Sequence, residues 1–223
     1  MTTPGFATTD LREAVVQAAS LMFTAGVVSH SGHANLSARL DTEHFVLTAT
    51  GMVRDLRPDQ LATVNLEGNV VEGQFGPENA EILAMHSVVY RARPDVGAII
   101  HTHSPAATAF ALAHRPLPCR AEPLLRFGQA EPVPVVPWGL RGSEVSVNGI
   151  AELLAGRPTT NAVLLANHGL LAFGPDPLAA ARLVIAIEEA AGAELAAAAI
   201  GGAGDFPAGA PVAVQASMAK ARS

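Results

Sequence analysis

The sequence has little that would suit a secreted, membrane-bound or nucleic-acid-binding protein. One cysteine among 223 residues excludes an internal disulfide and fits the cytoplasm. The chain has 14 Lys and Arg against 20 Asp and Glu, without a basic cluster, so we expect no nucleic-acid partner and no binding to an anionic membrane surface. No apolar run is long enough to span a bilayer, and the first residues lack the features of a signal peptide. We therefore expect a soluble cytoplasmic protein.

Aromatic residues are also scarce. They make up 4% of the chain, whereas apolar residues together make up 49%, so Ala and Val must do much of the core packing. The length suits one large α/β domain, and no internal repeat is present. We predict a single domain over residues 1–223, with a mobile tail from about residue 201 that is rich in Gly, Ala and Pro.

Hydrophobic periodicity and turn residues predict a mixture of helices and strands without regular βαβ alternation. The predicted helices cover about 11–24, 78–93, 147–155 and 177–199, and a further helix begins near 105. The predicted strands cover 45–48 and 96–103, with a hairpin between 63 and 71. Residues 131–137 carry three prolines, so any strand there lies at an edge of the sheet.

Three histidines stand in two short apolar contexts. His101 and His103 end one apolar run, and His168 lies between two others. Alternate side chains of a strand point to the same face, so His101 and His103 would project side by side. Neutral imidazole binds zinc and similar divalent ions well, and three protein ligands with one open position are typical of catalytic sites. The pattern predicts a metal site.

A simpler interpretation is that His101 and His103 lie on a solvated strand face and bind nothing. Two features favour the metal site. The segments around the histidines are apolar, and a buried imidazole without a partner is costly. No cysteine cluster competes for the role, because Cys119 is alone in a Pro-rich stretch.

The residues around these histidines resemble a known family. Residues 80–105 read AEILAMHSVVYRARPDVGAIIHTHSP, and residues 167–169 read NHG. Two upstream segments also match, GHANLSAR at 32–39 and LTATG at 47–51. In this order and spacing the chain is similar to the class II aldolase/adducin family, which includes the L-fuculose-phosphate aldolase-like enzymes.

The resemblance implies an α/β fold, a single three-layer α/β/α domain around a mixed, largely antiparallel sheet. It implies a divalent metal on His101, His103 and His168, with zinc preferred and Mn²⁺ or Co²⁺ as alternatives. The metal would hold oxygens of a small carbonyl or carboxylate substrate and stabilise the enolate or enediolate formed when a carbon–carbon bond breaks. The resemblance also implies a homotetramer with active sites near subunit boundaries.

The family further implies a glutamate as general acid/base, and here the sequence departs from the pattern. Aldolases carry Ser-Ser-Glu with the glutamate four residues before a helix histidine, which corresponds to His86. That count gives Ile82, whereas Glu81 is five residues before His86. We predict Glu81 as the acid/base, with Glu78 on nearly the same helix face as the alternative. Glu78 also suits a first-turn carboxylate favoured by the helix dipole.

His86 has two interpretations of its own. It either supports the metal site, as a fourth ligand or a partner of the ligands, or is a hydrogen-bonded core residue, which is more common.

The segment that holds a sugar phosphate in the family is also altered. With Glu81 matched to the family glutamate, Asn79 and Ala80 replace the two serines. The single tyrosine, Tyr90, lies within the helix motif, so the C-terminal catalytic tyrosine of fuculose-phosphate aldolases has no counterpart. These losses favour a carboxylated or non-phosphorylated substrate.

Four other residues are candidates for substrate binding, in addition to Asn79. Asn35, Thr50 and Gly51 match the family's anion pocket, and His33 adds an imidazole similar to that of decarboxylase-like members. The alternative roles are structural: a turn residue for Asn35, a backbone requirement for Gly51 and a polar loop residue for His33.

Three functions are therefore open. The first is a metal-dependent aldolase that cleaves or forms a carbon–carbon bond. The second is a metal-dependent decarboxylase of a hydroxy- or keto-carboxylate on the same site. The third is a non-catalytic adducin-like module, which the presence of all three histidines disfavours.

Overall fold

The strands form one continuous sheet in the computed structural model, which describes residues 8–76, 79–140 and 143–221. They are β1 (Ala34–Arg39), β2 (His44–Thr48), β3 (Leu61–Asn65), β4 (Val70–Glu72), β5 (Ala98–Thr102), β6 (Val135–Val136), β7 (Ala162–Leu165) and β8 (Gly169–Gly174). Their order across the sheet is β4-β3-β2-β1-β5-β8-β7-β6. All pairs are antiparallel except β6 with β7, which confirms the mixed, largely antiparallel sheet.

Helices cover both faces of this sheet. They are α1 (Thr8–Thr24), α2 (Ala80–Ala92), α3 (Pro105–Leu112), α4 (Glu122–Arg126), α5 (Val145–Gly156), α6 (Pro177–Ala198) and α7 (Ala210–Ala221), with a short 3₁₀ turn at Pro58–Gln60. Helices α1, α3 and α6 contact the strands from one side, and α2 and α5 from the other. None of the helices in the described ranges has the length and apolarity needed to cross a membrane.

The alternation of side chains along each strand divides the core into two layers. Ile99 and Ile100, adjacent in β5, belong to different buried clusters, one against α2 and α5 and the other against α1 and α6. Small residues fill much of the α6 interface, including Ala180, Ala181 and Ala191, as the scarcity of aromatic residues requires. The predicted three-layer α/β/α arrangement is thus confirmed.

Several elements were not predicted from the sequence, among them β1, β7, β8, α4 and α7. In β1, Asn35 and Ser37 take positions where a buried strand usually has apolar residues, because both are hydrogen-bonded to His86 of α2. The five residues of the short helix α4 show no clear hydrophobic periodicity. Helix α7 lies in the tail that we expected to be mobile, and it contacts α4.

Glu188 of α6 stabilises the segment that follows the histidine pair. Its carboxylate oxygens accept hydrogen bonds from the backbone N–H groups of Ala106 and Ala107, at 2.7 and 2.8 Å. These N–H groups are in the first turn of α3, where no intrahelical acceptor exists. Burial raises the pKa of Glu188. The contact joins α6 to the chain immediately after His103.

Candidate metal centre and active site

The three predicted histidines meet at one end of the central strands. His101 is on β5, on the face that is covered by α2 and α5, and His103 lies just past the end of that strand. His168 is in the turn between β7 and β8. One ligand atom from each of the three lies within 4.8 Å of the others, and the ring centroids are 4.6–5.0 Å apart. These residues could together hold a metal ion.

His101 and His103 are held in the neutral form that binds metal. Burial, followed by repulsion from His168 and His103, lowers the pKa of His101 well below its usual value. Burial and the neighbouring histidines also lower the pKa of His103 to about 4. His101 Nδ1 donates to the carbonyl oxygen of Leu170 at 3.0 Å, so its Nε2 is left as an acceptor. These two imidazoles are therefore available as metal ligands at neutral pH.

The spacing of the nitrogens fits a tetrahedral ion. Ligand nitrogens at zinc–nitrogen distances of about 2.0–2.1 Å and tetrahedral angles are separated by roughly 3.3 Å. His101 Nε2 and His103 Nε2 are 3.2 Å apart. Two neutral imidazole nitrogens at this distance suit a shared cation. The hydrogen bond that His101 Nδ1 donates to Leu170 O orients the ring, as in many metal sites.

The turn that carries His168 has an unusual backbone. Asn167 has φ 58°, in the left-handed region, and its backbone N–H donates to Ala111 O at 3.2 Å. Its side-chain Oδ1 accepts from His114 Nε2 at 2.6 Å, and His114 itself has φ 53°. The end of α3 thus supports the turn. Asn167 lies within the sequence motif, whereas no local pattern pointed to His114, which is 53 residues away.

Gly169 allows β8 to approach the end of β5. A Cβ atom at this position would lie 2.6 Å from Thr102 O and 3.0 Å from His103 Cδ2. Only glycine allows this contact without displacing the backbone beside His103.

We expect Asn167→Ala to weaken metal binding more than Asn167→Gly does. Alanine in the left-handed region costs about 1–2 kcal/mol, whereas glycine adopts it freely. Loss of groups that orient metal ligands typically lowers affinity about 10–100-fold. Zinc affinity measured by chelator competition tests this, with His114→Ala to separate the side-chain contact from the backbone. Equal affinities for the alanine variant and the parent would contradict the role of the turn.

The histidines open into a cavity of about 590 Å³. Its wall includes five further residues predicted from the sequence, namely His33, Asn35, Gly51, Asn79 and Glu81. Glu81 is half-buried in the first turn of α2, and the Asn79 side chain at the start of that helix donates to Ala49 O at 3.2 Å. Trp138, 55% exposed, lines the mouth.

Other predicted residues have different places. Thr50 is not among the residues that line the cavity, and its hydroxyl accepts a hydrogen bond from Met52 N at 3.0 Å. Glu78 lies outside the described residues. His86 is buried, and both its ring nitrogens are engaged, by Ser37 and Asn35, so the described contacts make it a core residue and not a fourth ligand.

Residues 13–195 match the family described as class II aldolase and adducin N-terminal domain. The chain belongs to the class II aldolase/adducin family. It is 34% identical over 193 residues to a 3-oxo-tetronate 4-phosphate decarboxylase from Haemophilus influenzae, covering 82% of this chain and 87% of the relative. It is 32% identical over 187 residues to a 5-methylthioribulose-1-phosphate/5-deoxyribulose-1-phosphate aldolase from Rhodospirillum rubrum, covering 81% and 78%.

Solved structures show the same fold. An L-fuculose 1-phosphate aldolase superposes with a TM-score of 0.83 at 25% identity, covering 97% of this chain and 100% of the other. The resemblance read from residues 80–105 and 167–169 is therefore confirmed.

Several residues within the family motif have structural roles. Arg93 donates from Nε to Asp95 Oδ1 and from Nη1 to Thr160 O, both at 2.8 Å. Arg39 lies over the ring of Tyr90, 4.5 Å from the centroid. Arg93 also borders a second cavity, of about 530 Å³, at the opposite end of the sheet. That cavity contains no group of metal ligands among the described residues.

Proposed function

We propose that this protein is a metal-dependent carbon–carbon lyase of the aldolase type. The observation that carries the proposal is the meeting of His101, His103 and His168 with Glu81 in one cavity wall. A divalent ion held by the three histidines, for which we favour zinc, would polarise a substrate carbonyl oxygen as a Lewis acid. An adducin-like role without catalysis has no such support, because the donor set is intact.

Glu81 is the group that we propose to move a proton. Its carboxylate lies in the wall of the same cavity as the ligands, at the start of α2. In the cleavage direction, Glu81 would take the proton from the substrate hydroxyl and return it to the carbon that loses its partner. In the synthetic direction the same proton moves the opposite way.

The first turn of α2 is the proposed site for an anionic group of the substrate. Asn79, Gly51 and Asn35 line this part of the cavity, and N–H groups at a helix N-terminus attract anions. Both curated relatives are named for phosphorylated compounds. We therefore propose a small phosphorylated carbonyl substrate. This differs from the carboxylated or non-phosphorylated substrate that we expected from the replaced serine pair.

Decarboxylation on the same site is the second candidate, favoured by the relative that is 34% identical. Loss of CO₂ from 3-oxo-tetronate 4-phosphate and aldol cleavage of 5-deoxyribulose 1-phosphate both produce dihydroxyacetone phosphate. One site that holds this common part of the molecule would serve either reaction. His33, exposed at the cavity wall, is a candidate to contact the carboxylate.

The two reactions are separated by their second product. The zinc-loaded protein is incubated with each phosphate compound, and aldehyde and CO₂ are measured along with dihydroxyacetone phosphate. Aldehyde release from the ketose phosphate supports the aldolase, and CO₂ release from the keto acid supports the decarboxylase. Absence of both, with zinc bound, would contradict the proposed function.

We also propose that the protein is a cytoplasmic homotetramer with sites near subunit boundaries. Trp138 and Leu140, beside the cavity, are 55% and 67% exposed, and Leu195 and Ile200 at the end of α6 are 47% and 87% exposed. Apolar side chains of this size suit contact with a neighbouring chain. Light scattering at micromolar concentration should report about four chains, with stability that depends on concentration. A fully active monomer would remove the interface from the mechanism.

A further inference from the structure

A chain of four buried side chains leads from the core to the cavity. Tyr90 OH is 2.8 Å from Ser37 Oγ, which is 2.7 Å from His86 Nδ1. His86 Nε2 is in turn 2.6 Å from Asn35 Oδ1. Each of the four residues is at most 4% exposed. Only Asn35, at the end of the chain, reaches the cavity wall.

The donors and acceptors of this chain can be assigned in order. Ser37 Oγ is the one hydrogen-bond partner of the Tyr90 hydroxyl among the described residues, so the buried O–H of Tyr90 donates to Ser37. Burial raises the pKa of Tyr90, which keeps that proton in place. The single hydrogen of Ser37 then goes to His86 Nδ1, and the imidazole carries its own hydrogen on Nε2. His86 therefore donates to Asn35 Oδ1.

The position of Asn35 makes its orientation matter. In the pairing of β1 with β5, Asn35 lies directly opposite His101, on the same face of the sheet. The amide nitrogen Nδ2 of Asn35 has no hydrogen-bond partner within the described part of the chain. With Oδ1 held by His86, Nδ2 is the atom that is left to meet a ligand beside the histidine cluster.

We propose that His86 is a positioning residue, which holds the Asn35 amide with its N–H₂ group towards the cavity and so selects a substrate with an anionic oxygen there. This inference rests on the proposed function only for the identity of the substrate. Without His86 the amide could rotate and present its oxygen, which would repel a phosphate or carboxylate oxygen instead of binding it. Ser37 and Tyr90 act through His86, because they determine which of its nitrogens carries the hydrogen.

The test compares His86→Leu with His86→Gln. Leucine removes the donor to Asn35, whereas the glutamine amide has an N–H₂ group near the position of Nε2 and keeps it. Binding of inorganic phosphate, and separately of acetate, to the zinc-loaded protein is measured by titration calorimetry, so no activity is needed. We expect anion binding to be about 10- to 100-fold weaker in the leucine variant, because one hydrogen bond to a charged group is lost. The glutamine variant should bind with near-parental affinity.

The control is Ser87→Ala on the same helix. Ser87 is equally buried, and its hydroxyl has no partner among the described residues. Its substitution should leave anion binding unchanged. Where a substrate is turned over, His86→Leu should raise KM while kcat and zinc content stay near the parental values.

Two results would overturn the inference. One is parental anion affinity in a folded His86→Leu variant, and the other is a His86→Gln variant as weak as His86→Leu. If His86→Leu does not fold, the Ser37→Ala variant tests the inference instead. It frees His86 to take its other tautomer and should weaken anion binding several-fold. Unchanged binding in Ser37→Ala would then contradict the proposal. A response to phosphate alone would identify a phosphate group as the natural source of the anionic oxygen, and a response to acetate alone a carboxylate.

Discussion

His101→Ala should abolish stoichiometric metal binding and turnover while it leaves the fold largely intact. Two imidazoles remain in that variant, and they cannot complete the three-ligand set of a catalytic zinc site. His101 is the most buried of the three ligands, at 3% exposure, and its Nδ1 is held by Leu170 O. Elemental analysis should find about one ion per parental chain and far less in the variant.

His30→Ala is the matched control, because His30 is exposed and its side chain is not part of the histidine cluster. It should bind metal as the parent does. Circular dichroism establishes that both variants are folded. Undiminished metal content in folded His101→Ala would show that the cluster is not the metal site.

Glu81→Gln should retain the metal and lose most of its turnover. General acid/base groups typically contribute about 10²–10⁴-fold to the rate, and glutamine keeps the size of the side chain without the transferable proton. Glu81 lines the cavity from α2 but is not in the ligand cluster. The expected change is therefore in kcat, with metal content unchanged, measured in whichever assay reveals the activity.

Glu78→Gln is the comparison that tests the choice of carboxylate. We expect it to be nearly as active as the parent, because Glu81 lines the cavity and is our predicted acid/base. A crippled Glu78→Gln beside an active Glu81→Gln would reverse the assignment. If neither substitution matters, an acid/base glutamate is not part of the mechanism.

The histidine cluster illustrates what local sequence can predict. His101 and His103 are two residues apart at the end of a strand, and His168 follows another apolar strand, so periodicity alone predicts that the first two lie together. The two side chains do lie together, with their Nε2 atoms 3.2 Å apart. This holds although β5 ends at Thr102, one residue before His103. His168 was included because it also lies between apolar segments, and the family motif agreed with that choice, although nothing local joins residue 103 to residue 168.

The proposed anion side of the cavity could be predicted only in part. Gly51, Asn79 and Asn35 were named from the motif and line the wall, whereas Thr50 does not. Contacts with β1 decided between the two interpretations of His86. The sequence did not predict β1 as a strand.

Composition and periodicity predicted one domain with mixed helices and strands, and the motif resemblance implied the family, its three-layer fold and most of the candidate site residues. How those residues contact one another depends on the packing of segments that are distant in the sequence. The register of β1 against β5 places Asn35 opposite His101, and the packing of α2 places His86 between Ser37 and Asn35. Such contacts join residues about fifty positions or more apart. Strand register and helix packing create them, and no local pattern contains that information.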